Sequence, residues 1–142
     1  MVTQIKTTEE ITALRRSGQI TAEILNLLKD TVRVGMSTSE IDAIVMREIQ
    51  SAGATPSLLG YTGFPAAICV SINEEAVHGI PGRRLIQDGD VVKLDLALAS
   101  DDMITDSAIT VQVGTTDKKT QRFMETVQRA LAGGLGFIAV DA

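Results

Sequence analysis

The chain has one cysteine, Cys69, and no tryptophan. A single cysteine excludes an internal disulfide and fits a reducing compartment. Aromatic residues make up only 3%, so any core must be aliphatic. No basic run exceeds two residues (Arg15-Arg16, Arg83-Arg84, Lys118-Lys119), and the net charge is −5. That leaves no electrostatic footprint for nucleic acid. No apolar stretch approaches membrane length, and the N-terminal residues contain no apolar signal region. The expectation is a soluble cytoplasmic protein without a nucleic-acid or membrane partner. With 142 residues, 44% of them hydrophobic, it is expected to form a single domain over 1–142.

The most telling feature present is a pair of aspartates, Asp95 and Asp106. They lie in two β-branched and aliphatic segments, 91–99 and 103–113, separated by Ser100-Asp-Asp102. Both segments read as strands of one hairpin. A two-residue loop at Ser100-Asp101 sets residue 95 directly opposite 106, with Cβ atoms roughly 4.5–5.5 Å apart. Alternation puts Val92, Leu94, Leu96 and Leu98 on one face. Asp95 shares the other with Lys93 and Ala97, and Asp106 with Ile104 and Ala108. Facing carboxylates destabilise a sheet unless a positive charge lies between them, and a divalent cation supplies one through carboxylate oxygens. The bland reading is a solvated face that tolerates both. The small, aliphatic neighbours favour a metal, because they raise the cost of leaving the charges uncompensated.

Elsewhere, Thr7-Thr-Glu-Glu10 and Ser37-Thr-Ser-Glu40 have the form of capping boxes. Apolar residues at helical spacing predict a long first helix ending near Gly35 and a second ending at Gly53. Residues 56–65 read as a loop, 66–72 as a buried strand and 73–90 as turns. Thr116 or Asp117 is expected to cap a last helix bearing Phe123, Val127, Ala130 and Leu131, stopping at Gly133-Gly134. The apolar run Leu135-Gly-Phe-Ile-Ala-Val140 that follows calls for a covering layer from more chain or a partner.

His78, the only histidine, precedes a Gly-Ile-Pro turn. It reads either as a functional loop residue or as an ordinary surface or core-edge side chain. Tyr61 and Phe64, framed by Gly60 and Pro65, could wall an apolar pocket or simply pack their loop onto the core. Cys69 reads as a small buried hydrophobe with no neighbouring histidine, which argues against a nucleophilic role.

Five features together resemble the type I methionine aminopeptidase family. They are Leu59-Gly-Tyr-Thr-Gly-Phe-Pro65, Cys69-Val-Ser-Ile-Asn-Glu74, Val77-His-Gly-Ile-Pro81, Asp88-Gly-Asp-Val-Val92 and the Asp95/Asp106 pair. The resemblance implies the α+β pita-bread fold, here its first half, an antiparallel sheet covered by two helices. It implies metal-dependent removal of initiator methionine from nascent polypeptides. Two divalent ions (Co, Mn, Fe, Zn or Ni) would be held partly by Asp95 and Asp106. His78 would hydrogen-bond the substrate, and Tyr61 and Phe64 would line the methionine pocket. The family's chains are longer, and their second half supplies the remaining ligands, so the resemblance implies a truncated, N-terminal half. Three readings follow. One is an inactive fragment, served by a complementary second-half chain. Another is a homodimer that rebuilds the site on N-terminal methionine peptides. The last is a non-enzymatic module that binds peptides or a protein partner.

Overall fold

The computed structural model describes residues 5–138. Helix α1 (Thr8–Thr31) starts at the expected capping box. The Glu10 N–H donates to Thr7 Oγ1 at 3.2 Å, and the Thr7 N–H donates to Glu10 Oε2 at 2.7 Å. Helix α2 (Thr38–Ser51) repeats the device with Ser37 and Glu40. The hydrogen bonds from Ser37 hold the Glu40 carboxyl below its usual range. Helix α1 ends before Gly35, because Val32 is already extended and the Gly35 N–H is drawn to Ile86 O.

Strands β1 (Thr55–Pro56), β2 (Ile68–Ile72), β3 (Val91–Ser100) and β4 (Met103–Gln112) form one antiparallel sheet. Strand β3 is central. It pairs with β2 and the short β1 along one edge and with β4 along the other. A helical turn at Tyr61–Gly63 and the irregular segment 73–90 lie between strands.

Both covering helices lie on one face of the sheet, α1 against β3 and β4 and α2 against β1 and β2. The face expected to be apolar is that one: Val92, Leu94, Leu96 and Leu98 are fully buried with Ile68, Val70 and Ile72. Where α1 crosses β4, small polar residues replace aliphatic ones. Ser17 and Thr21 hydroxyls lie 2.8 and 2.9 Å from Thr105 Oγ1, satisfying one another in the interior.

Helix α3 (Lys118–Gly136) is capped by Asp117, whose carboxylate accepts from the Lys119 and Thr120 N–H groups. It continues through Gly133-Gly134 where a stop was expected, and nothing in its packing explains this. None of its residues is buried, and Phe123, Val127, Leu131 and Leu135 are all exposed. Of the apolar run after it, Phe137 and Ile138 are exposed, and Ala139 and Val140 lie outside the described residues. No described helix is long and apolar enough to cross a membrane.

Candidate metal centre

Asp95 and Asp106 do share the uncovered face of the sheet, but not directly opposite one another. The hairpin turns at Asp101-Asp102, one residue later than expected. Ser100 therefore pairs with Met103, Ala97 with Asp106, and Asp95 with Ala108. Two-residue hairpins of the type I′ class need positive φ at both central positions. Asp101 and Asp102 supply this at 50° and 60°, which aspartate tolerates better than most side chains. Arg16 reaches from α1 to Asp101 Oδ2 at 3.2 Å. The correction moves the pairing by two positions and so preserves the face. The aspartates become diagonal neighbours instead of an opposed pair.

Asp95 is half-buried and Asp106 exposed. Burial raises the pKa of Asp95, and the neighbouring Asp106 carboxylate raises it further. His78 acts weakly in the other direction. The one lysine on this face of β3, Lys93, does not compensate them. Its ammonium is bound to the backbone carbonyls of Asn73 and Glu75. Among the described residues, no ion pair involves either aspartate. Two adjacent carboxylates without a cation are the donor chemistry that a divalent ion fits.

This predicts a pH effect in the metal-free chain. The folded-state pKa of Asp95 lies above the ordinary aspartate value of 3.8, so folding takes up protons between the two pKa values. Stability is therefore lost as pH rises through the folded pKa. Asp95→Asn should stabilise the metal-free chain at neutral pH by on the order of 0.2–1 kcal/mol. The gain should vanish near pH 3.8 and below. Urea titrations at both pH values would show it, and a destabilised asparagine variant at neutral pH would refute it.

His78 is brought to this face by the loop that follows β2. Its own φ is 58°, and the next residue is pressed onto the strand. Val70 N–H donates to Gly79 O at 2.9 Å, and Gly79 N–H donates to Ser71 Oγ at 3.0 Å. A Cβ at position 79 would lie 2.2 Å from Val70 O, so only glycine permits this approach. The main chain thereby fixes where the imidazole sits.

That placement corrects the reading of Cys69. The residue is buried, as expected, yet it has a histidine neighbour: its Sγ lies 3.8 Å from His78 Nδ1. Cys69 also pairs in register with Asp95, which puts both side chains on one face. Burial first, then the charges of Asp95 and Asp106, pushes the thiol up to about 11. A buried, protonated thiol is a poor nucleophile, so the constellation does not read as a cysteine–histidine catalytic pair. The only signal in the sequence was the stretch of turns between 73 and 78, which allows the chain to return to β2.

Tyr61 and Phe64 sit at either end of the helical turn, the Phe64 N–H donating to Tyr61 O at 2.9 Å. Thr62 there has φ 47°, between Gly60 and Gly63, which also have positive φ. Tyr61 is 69% exposed and Phe64 half-buried, so these residues do not close a pocket by themselves. One surface depression lies at the start of α1, beside Arg16 and Asp101, and another along α3; neither is lined by the aspartate pair, His78, Tyr61 or Phe64.

The chain is similar to known proteins along nearly its whole length. The chain is 41% identical over 130 residues to methionine aminopeptidase 1 of Bacillus subtilis, covering 92% of the chain and 52% of that protein. It is 36% identical over 137 residues to methionine aminopeptidase of Clostridium perfringens, covering 96% and 55%. The crystal structure of methionine aminopeptidase from Thermotoga maritima superposes with a TM-score of 0.93 at 28% identity, covering 96% and 55%. The chain thus spans about half the length of the relatives it matches, and its α+β architecture is that of the pita-bread fold. The profile of metallopeptidase family M24 extends over residues 12–140, and the chain belongs to that family.

Proposed function

We propose that the chain carries part of the site of a metal-dependent aminopeptidase that removes initiator methionine from polypeptides. The observation that carries this reading is the uncompensated Asp95/Asp106 pair on the open face of the sheet, with His78 held beside it. Asp95 and Asp106 would hold two divalent ions. Bound there, such ions supply Lewis acidity towards a peptide carbonyl and towards water. Their identity among Co, Mn, Fe, Zn and Ni is open to direct metal analysis.

The chain's own residues would do the rest. Gly79 clamps the backbone, which keeps the exposed His78 ring at the edge of the site, where it can hydrogen-bond the substrate near the scissile amide. Tyr61 and Phe64 would receive the methionine side chain. Cys69 forms the buried floor under His78 and Asp95. The free thiol fits a cytoplasmic setting.

Two carboxylates bind a divalent ion weakly, and the same face of the sheet is where further ligands would enter. Polypeptide beyond these 142 residues, whether further chain, a second copy or a complementary chain, is proposed to supply them. Methionine release from a Met-Gly-Ser peptide with added Mn(II) tests the reading. Release by the wild type and none by Asp106→Asn is the expected result. Equal release by both preparations would reject catalysis by this chain.

A further inference from the structure

We propose that Cys69, His78 and Asp95 form a three-ligand site for a single thiophilic divalent ion of the zinc type, which shares Asp95 with the Asp95/Asp106 pair. One ligand atom from each of the three residues lies within 4.8 Å of the others. Sγ of Cys69 and Nδ1 of His78 are 3.8 Å apart. Tetrahedral zinc, with bonds of about 2.3 Å to sulfur and about 2.0–2.1 Å to nitrogen, separates two such ligands by about 3.6 Å. The thiol and the imidazole therefore stand at nearly the spacing a shared ion requires.

The backbone segments that carry the three side chains are also held independently of any ion. Cys69 and Asp95 are register partners on adjacent strands, β2 and β3. His78 is positioned by the main-chain bonds of Gly79 to β2. Binding then orders little that is not already ordered, which favours affinity. Cysteine, histidine and a carboxylate leave one coordination position open, an arrangement tetrahedral zinc accepts. Zinc binding displaces the Cys69 proton to solvent, and the resulting thiolate selects for zinc and against hard ions such as magnesium or manganese. Cys69 lies beneath and His78 is exposed, so an ion enters from the open face.

Asp95 belongs to both donor sets. A thiophilic ion at this site withdraws it from the carboxylate pair, and a hard ion on the pair withdraws it from the thiol. The site therefore predicts competition between zinc and manganese. This inference does not rest on the aminopeptidase reading, because it requires neither substrate nor turnover.

The test is a titration of the full chain with Co(II), a spectroscopic substitute for zinc, followed by displacement with Zn(II). The wild type should develop a near-ultraviolet sulfur-to-cobalt charge-transfer band that Zn(II) abolishes at one equivalent. Cys69→Ser and Cys69→Ala should both lack the band while keeping wild-type circular dichroism. Their Zn(II) affinity should fall by more than about tenfold, since even an indirect supporting partner is worth about that much. Asp106→Asn should retain the band. No band in the wild type, or unchanged Zn(II) affinity in both folded Cys69 variants, would overturn the proposal. Failure of methionine release with Mn(II) would leave these spectra as they are, so the two readings fail separately.

Discussion

Asp106→Asn is expected to lower the affinity of the chain for Mn(II) by more than about tenfold, with His78→Ala close to wild type. Asparagine keeps the shape of the side chain and one carbonyl oxygen, but it removes a full negative charge from a site with only two carboxylates. Manganese prefers oxygen donors, so it reports on the aspartate pair and not on the thiol and imidazole beside it. His78 shares that face with Asp95 without belonging to the pair. Calorimetric titration of the three proteins reads the difference directly. Equal affinity in wild type and Asp106→Asn would remove Asp106 from the site. A lost signal in His78→Ala would make the imidazole a ligand for hard ions as well. This contrast is the reverse of the one expected with zinc, where Cys69 matters and Asp106 does not.

Leu94→Ala should destabilise the chain by about 2–5 kcal/mol, the range for truncating a fully buried aliphatic side chain. Leu94 is 0% exposed at the middle of the central strand, flanked in register by Val70 and Ile109. A cavity there cannot be filled by collapse from one side, because β2, β4 and the covering helices all border the same core. Ile104→Ala on the opposite face of the same hairpin is the contrast. Ile104 is 62% exposed, and its truncation should change stability by no more than about 0.5 kcal/mol. Urea denaturation of both variants separates the two faces of the sheet. Similar losses would mean that the open face is covered in solution.

Much of this arrangement was legible in local patterns. The alternation from Val92 to Leu98 placed Asp95 away from the core, and that inference needs only the two-residue period of a strand. Both capping boxes were visible because their partners are three residues apart and their chemistry is local. The turn was not legible to the residue. Ser100, Asp101 and Asp102 all suit turns, and only backbone torsion decides which two occupy the positive-φ positions. The nearness of Cys69 to His78 lay further out of reach. It depends on Gly79 being pressed against Val70, a through-space approach with no periodic signature. The end of α3 was missed because glycine lowers helix propensity without forbidding the conformation.

The hairpin also carries a kinetic consequence. Asp95 and Asp106 are joined by a single tight reversal, so few intervening residues must be ordered to bring them together. Closures of that span take on the order of 10–100 ns and hairpins about 1–10 μs, well before distant strands assemble. The carboxylates therefore meet early, in any partly folded chain that has formed the β3–β4 ribbon, while Cys69 and His78 must still arrive from a separate strand and loop. Their mutual repulsion is a toll on an early folding step. A hard cation can relieve it at that stage, whereas the thiol-containing site can exist only after β2 has docked.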